Sequence, residues 1–326
     1  MDYVTLGRTG MRVSVAGLGC GGFSQLGLGT GKSEAHAISI IRQALDLGVN
    51  FFDTAAAYGT EAVLGRAIKS VRREDIVIAT KAPFSVSSPR STPEAAVASL
   101  DNSLRRLDTD YIDVYQLHGV APAAYDHALE VLAPALLKEK AKGKFRHLGI
   151  SETAPHDPDH RMLQRAARDG IWEVAMVGFH MMHQNARRVV FPLTRANRVG
   201  TLLMFAVRNI FSQPDRLRAT VSDMAAAGEV PRWLAETAEP LGFLLHEGGA
   251  RTVPDAAYRF VRHERGVDVV LFGTGDPDHL RTNIASILKP PLPEPDRRQL
   301  QALFGHLIGV GLDAPHLSRP RPRAPG

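Results

Sequence analysis

Hydrophobic and polar positions along this chain follow two periods that take turns. Short β-branched or apolar runs occur at 13–19, 50–54, 76–80, 112–117, 147–150, 174–177, 201–205 and 269–272, and stretches with helical periodicity lie between them. Ile38, Ile41 and Leu45 form one helical stripe. Val97, Leu100, Leu104 and Leu107 form another, opened by the helix-start signal Ser91-Thr92-Pro93-Glu94. Leu280, Ile284 and Ile287 form a third, behind Asp276-Pro277. Several of the apolar runs are almost unbroken, as expected of a parallel sheet covered on both faces. Eight βα units predict one closed (β/α)8 barrel, the fold known as the TIM barrel.

Three segments fall outside the repeat. Residues 1–13 read as an N-terminal β-hairpin around Arg8-Thr9-Gly10. Residues 209–251 form a long insertion between strands seven and eight, with helical pieces at 216–227 and 232–238. From 312 onward the chain is rich in proline and arginine, and 312–326 is expected to be a disordered tail. No linker divides 1–311, which is read as one barrel domain.

Composition narrows the class. The chain has 326 residues, 44% hydrophobic and 22% charged, an ordinary globular mix. No apolar run reaches the length of a membrane span, and the first twelve residues lack a secretory apolar core. Cys20 is the single cysteine, so no internal disulfide forms. These features predict a soluble, cytoplasmic protein. The net charge of +5 is spread along the chain without a basic stripe or aromatic platform, so no nucleic-acid partner is expected. Oligomeric state is not legible.

Gly17-Leu18-Gly19-Cys20-Gly21-Gly22 matches the G-x-G-x-x-G pattern of a Rossmann turn. That fingerprint must open directly into a helix. Here the glycines run on through Phe23 to Gly31 and the helix begins only near Ser33. A glycine loop on a barrel, allowing close approach of a ligand, is the better reading.

The stronger signal is a set of polar residues at consecutive strand ends. Asp53 closes the second strand and Tyr58 follows in its loop. Lys81 closes the third and His118 the fourth. A barrel gathers these ends at one mouth. A phenol ordinarily keeps its proton to about pH 10. A neighbouring Lys81 ammonium, oriented by Asp53, is expected to lower that value. With His118 placing a substrate oxygen, the group forms an acid/base device for a carbonyl or an alcohol. None of the four residues is a hydride source, so redox chemistry would need a cofactor. Singly, each has a plainer reading: a helix cap, a loop aromatic, a solvated lysine, a structural histidine.

These segments resemble the aldo-keto reductase superfamily. The matching residues are Phe52-Asp53-Thr54-Ala55 with Tyr58-Gly59, Glu61, Leu64-Gly65 and Thr80-Lys81. Further matches are Asp110-Tyr111-Ile112-Asp113, Leu117-His118, Gly149-Ile150-Ser151 and Gly273-Thr274-Gly275-Asp276-Pro277 with Leu280 and Asn283. The resemblance runs from about Val4 to Leu288. It implies a barrel that binds a nicotinamide cofactor, NADP(H) with NAD(H) possible, and interconverts a small-molecule carbonyl and its alcohol. It implies Tyr58 as general acid, Lys81 and Asp53 as its modifiers and His118 as orienter of the carbonyl. Ser151 would touch the nicotinamide carboxamide, and Phe205 would stack on the ring. Gly21, Gly22, Gly273, Thr274, Gly275, His279 and Asn283 would lie along the cofactor. Long loops set specificity in barrels, and the insertion is predicted to fold over the cofactor as a lid or belt. The chain departs from the family at Glu152, where asparagine is common, and at Gly178, where glutamine is usual. Gly273 and His279 stand where cations for a 2′-phosphate are usual, with Arg281 or an insertion arginine as substitutes. Phe23, Phe84, the loop after His118 and the insertion are expected to wall the pocket.

Other functions remain open at this stage. The same machinery run in reverse is an NAD-dependent aldose or alcohol dehydrogenase. A regulatory barrel would bind cofactor with little turnover. A metal-dependent hydrolase would need ligands such as His156, Asp157, Asp159 and His160, which read better as a solvated loop; no metal is expected.

Overall fold

The computed structural model describes residues 1–83 and 91–312. Phe84 and the tail beyond Leu312 lie outside the described residues. Among the described residues there are ten strands: β1 Tyr3–Thr5, β2 Arg12–Ser14, β3 Ala16–Gly19, β4 Phe51–Asp53, β5 Val77–Ala82, β6 Ile112–Val120, β7 Phe145–Glu152, β8 Val174–Gly178, β9 Gly200–Met204 and β10 Val269–Phe272. β3 to β10 pair in parallel and close into a barrel, with β10 beside β3. This is the (β/α)8 fold. β1 and β2 form the N-terminal hairpin, antiparallel with Val4 opposite Val13.

One boundary differs from expectation. The run 13–19 is two strands, not one. Ser14 donates its hydroxyl to the Ala16 carbonyl and accepts the Asn50 N–H, so the chain jogs at Val15 and passes from hairpin to barrel. The hairpin closes the N-terminal mouth. Leu6 and Val13 pack with Phe51, Val77, Ala79, Val114, Val174, Met176, Leu202 and Val269 as the apolar filling of the lumen. A second, larger core lies between the strands and the outer helices.

Side chains on a strand alternate between lumen and helix layer. The filling residues Phe51, Ala79, Val114 and Met176 therefore announce what faces the lumen two residues on: Asp53, Lys81, Gln116 and Gly178. One further step along β6 brings His118, and Ser151 stands two residues after Gly149 on β7. The polar set is simply the upper layer of the barrel interior.

The insertion is helical at Pro214–Ala226 and Arg232–Glu236. Leu217, Val221, Met224 and Leu234 bury one face in the main core. Among the described residues no helix is long and apolar enough to cross a membrane.

Candidate active site

The C-terminal mouth brings Asp53, Tyr58, Lys81 and His118 together. Lys81 is fully buried. Its ammonium donates to both carboxylate oxygens of Asp53, at 2.8 and 2.7 Å, and to the Thr54 carbonyl at 2.8 Å. The two carboxylate oxygens lie on one side of the ammonium, which leaves it a hydrogen to turn toward Tyr58. The ammonium also stands 5.1 Å from the centre of the Tyr58 ring. The Tyr58 hydroxyl lies 3.3 Å from His118 Nε2, with the two rings edge to face.

The Tyr58 ring owes its place to Gly21. A Cβ at residue 21 would meet ring carbons at 2.5 to 2.8 Å, so a side chain there would displace the phenol. The loop carrying Tyr58 is tied at its neck by Thr54 Oγ1 to Thr60 Oγ1, 2.8 Å. Glu61, also buried, accepts from Thr80 Oγ1 and from Arg106 Nε, both at 2.6 Å. Thr80 is the neighbour of Lys81, so the tyrosine loop is anchored beside the lysine.

The electrostatics differ from expectation in one respect. Burial is the largest influence on Tyr58 and raises its pKa; Lys81 works against this, and the net direction is upward. The phenol is therefore held above its ordinary value, not below it. Burial pulls Lys81 down, but Asp53 and Tyr58 outweigh it and leave the ammonium more basic than usual. Burial also pushes Asp53 upward against the pull of Lys81, while the bonds from Lys81 keep the pair ionised. Burial, then Lys81, drives His118 down to about 3, so its imidazole is neutral.

The remaining predicted residues surround this centre unevenly. Ser151 Oγ accepts the N–H of Gly119, the residue after His118, at 2.7 Å, which leaves the hydroxyl proton to donate elsewhere. Phe205 follows the last residue of β9 with a left-handed φ of 75°, rare for an aromatic residue. Gly22 is in the open glycine loop, while Gly275 packs against Gly27 and accepts from His36 Nε2 at 2.6 Å. Gly273 is exposed and lies near the Gly19 carbonyl. Thr274 turns its hydroxyl to the N–H of Asp276. Asp276 caps the helix Pro277–Leu288, accepting the N–H groups of Asp278 and His279. His279 is exposed on that first turn, and Asn283 is half-buried one turn further. Arg281 is engaged by Asp278 and Gln43.

Sequence reasoning missed three contributors. Gln116, fully buried, approaches Asp53 Oδ1 at 3.5 Å; the period of two along β6 was the available signal. Arg208 lays its guanidinium 4.3 Å from the Phe205 ring centre and 5.6 Å from that of Phe23, linking the start of the insertion to the glycine loop. His160 is a correction: it is not part of a solvated loop but is fully buried, bonded through Nδ1 to Glu152 at 2.8 Å. Asp157 beside it caps the helix Arg161–Ala166 through the N–H groups of Arg161 and Met162.

A buried lysine–carboxylate pair beneath a tyrosine and a neutral histidine, set in the mouth of a (β/α)8 barrel, defines a class of barrel oxidoreductase. A model of the Aldo/keto reductase family matches residues 17–304. The chain belongs to that family, whose members act on CH–OH and C=O groups and generally use NAD(P)H. It is 26% identical over 324 residues to aldo-keto reductase YhdN of Bacillus subtilis (strain 168), covering 94% of this chain and 95% of that protein. It is 37% identical over 157 residues to L-galactose dehydrogenase of Arabidopsis thaliana, covering 46% of this chain and 48% of that relative, about half its length. The solved structure of aldo-keto reductase AKR11C1 from Bacillus halodurans, in its holo form, shares the fold with a TM-score of 0.70 at 24% identity, covering 93% of this chain and 96% of that one.

Proposed function

We propose that this chain is an NAD(P)(H)-dependent oxidoreductase that interconverts a small carbonyl compound and its alcohol, with Tyr58 as the proton carrier. The observation that supports it most is the Lys81 ammonium, held by Asp53 and Thr54, set beside a tyrosine whose hydroxyl meets a neutral histidine. A purely structural ion pair has no need of the other two.

The residues present suit a nicotinamide cofactor in part. Gly22 leaves backbone open along the mouth, Ser151 has a hydroxyl proton to give, and Phe205 offers a half-buried ring. When bound, that cofactor would supply or accept the hydride. The protein handles the proton. A carbonyl oxygen between Tyr58 and the Nε2–H tautomer of His118 accepts from both. Tyr58 then passes its proton to the oxygen. The resulting phenolate is stabilised by Lys81, which Asp53 and Thr54 keep from moving. In the reverse direction, the phenolate takes the proton of the alcohol.

A second reading is an NAD-linked dehydrogenase running oxidatively. Asp276 and Asp278 open the helix beside Gly273, and the nearby Arg281 is tied to Asp278 and Gln43. Carboxylates there oppose a 2′-phosphate by like charge. The likeness to a protein named L-galactose dehydrogenase points the same way. One experiment addresses both readings. Titration with NADPH and NADH by nicotinamide fluorescence, followed by aldehydes including 4-nitrobenzaldehyde, should show binding and then oxidation. Tyr58→Phe should still bind cofactor and lose about 10²- to 10⁴-fold in kcat. Near-normal kcat in that variant would sink the assignment, and tighter NADH binding would favour the second reading.

A further inference from the structure

Glu152 and Gly178 depart from the family pattern together, and the structure gives a physical reason for reading them as one unit. The β7–β8 ladder ends at Ser151 opposite Met176, whereas the β8–β9 ladder continues to Gly178 opposite Met204. The last residue of β8 thus outruns its β7 neighbour. Its N–H is satisfied by a side chain instead: Glu152 Oε1 accepts it at 2.7 Å. The other oxygen, Oε2, lies 2.8 Å from His160 Nδ1. His160 Nε2 meets Asn185 Oδ1 at 3.0 Å, and Asn185 Nδ2 donates to the Pro158 carbonyl at 2.7 Å, which fixes the orientation of that amide. Both ring nitrogens of His160 therefore face acceptors. Nε2 must donate to that amide oxygen, so Nδ1 and Oε2 share one proton between them, and both side chains are fully inaccessible.

On the far side of Gly178 sits Phe205. A Cβ at residue 178 would lie 3.3 Å from Phe205 Cδ2, 2.9 Å from Ala154 Cβ and 3.4 Å from Glu152 Oε1. The aromatic ring, an alanine and the carboxylate thus close on the bare glycine. Phe205 directly follows Met204, the partner of Gly178, and turns into its left-handed conformation there. Such a conformation persists only when its surroundings determine it.

We propose that the buried Glu152–His160 pair is a positioning element that seats Phe205: it pins Gly178, and through the β8–β9 pairing and the bare glycine face it holds the aromatic ring at the mouth of the barrel. The proposal rests on the reading of Phe205 as the ring on which the nicotinamide stacks. Glu152 and His160 act through Gly178 and do not touch the cofactor.

The test reads the seat directly and the consequence separately. With 4-fluorophenylalanine in place of Phe205, the fluorine resonance of the otherwise unchanged chain is compared with that of Glu152→Ala and Gly178→Ala. The first substitution removes the acceptor that holds the Gly178 N–H; the second leaves the pair and crowds the ring. Both should shift or split the resonance. In the unlabelled variants, dissociation constants for whichever reduced cofactor the parent protein binds should rise about tenfold. An unchanged resonance in Glu152→Ala overturns the proposal, whatever Gly178→Ala shows. So does a lowered Tm with resonance and cofactor affinity unmoved, which is what a merely structural pair would give, or a moved resonance without loss of affinity. If Glu152→Ala does not fold, Glu152→Met, which keeps the bulk without the acceptor, decides in its place. If the parent protein binds neither cofactor, the function proposed above fails, and the fluorine resonance still decides whether the pair seats the ring.

Discussion

The proton on Tyr58 is governed by a contest between burial and Lys81, and burial wins. A phenol above its usual value stays protonated through the neutral range, so the acid form needed for carbonyl reduction is always present. His118 is neutral throughout the same range, at about 3. No group that faces the substrate oxygen changes charge between about pH 6 and 9. Carbonyl reduction, measured as kcat/KM across that interval, should therefore be flat. Oxidation of the alcohol needs the phenolate and should climb steadily toward alkaline pH. An inflection near pH 6.5 in the reductive direction would show that His118 titrates and that its burial has been overread. The same contest shows why the sign of the Tyr58 shift was not legible beforehand. Spacing placed Lys81 near the tyrosine, but only the fold reveals how completely Gly21 and the loop enclose the ring.

At the scale of the elements, the loop that carries Tyr58 depends on the short helix behind it. In the helix Glu61–Ala67, Glu61 spends its first residue on anchoring, taking Thr80 Oγ1 with one oxygen and Arg106 Nε with the other. Glu61→Ala leaves a buried hydroxyl without its acceptor and an arginine without its partner, a loss of about 2–3 kcal/mol. Denaturant unfolding should show that loss, and kcat should fall more than KM rises, because the tyrosine is freed while the mouth stays open. Unchanged kcat in a destabilised variant would mean that Thr54 and Thr60 suffice to hold the loop. The alternation of strand and helix was readable from periodicity alone, and the four mouth residues from their strand ends. Residues with other duties were harder to sort. Tyr111 and Asp113 belong to the matching motif yet work at the opposite end. The Tyr111 ring has the guanidiniums of Arg73 and Arg146 at 4.0 and 4.1 Å, while Asp113 accepts from Arg73 and from the N–H of Ile78. His160 read as a loop residue because its partner Glu152 is eight positions away on β7, and no local pattern announces a pair that forms across a strand end.

The whole molecule encloses several titratable groups whose values burial has moved, and together they set how stability depends on pH. His118, His180 and His183 are driven to about 3, about 3 and about 2, in each case first by burial. An unfolded histidine binds its proton near pH 6.5. Below that value the unfolded chain takes up protons that the fold refuses, so this contribution to stability is whole above pH 6.5 and shrinks as pH falls. Asp268 acts in the opposite sense. Burial raises it to about 6, so the fold gains a proton before the unfolded chain does, and stability rises as pH falls from there toward the ordinary aspartate range. His160, raised above its ordinary value with Glu152 as its partner, contributes stability that is present below pH 6.5 and fades as pH rises through its folded value. Between pH 6 and 5 His118, His180 and His183, joined by the lowered His263, outweigh Asp268, and stability should drop by about 1–3 kcal/mol per pH unit. Urea midpoints at pH 7, 6 and 5 measure this. A steep loss below pH 6 is expected, with little change between pH 7 and 8. A flat profile from pH 7 to 5 would mean that the three imidazoles reach solvent or a proton acceptor in the folded chain, and the neutral state assigned to His118 at the mouth would fall with it.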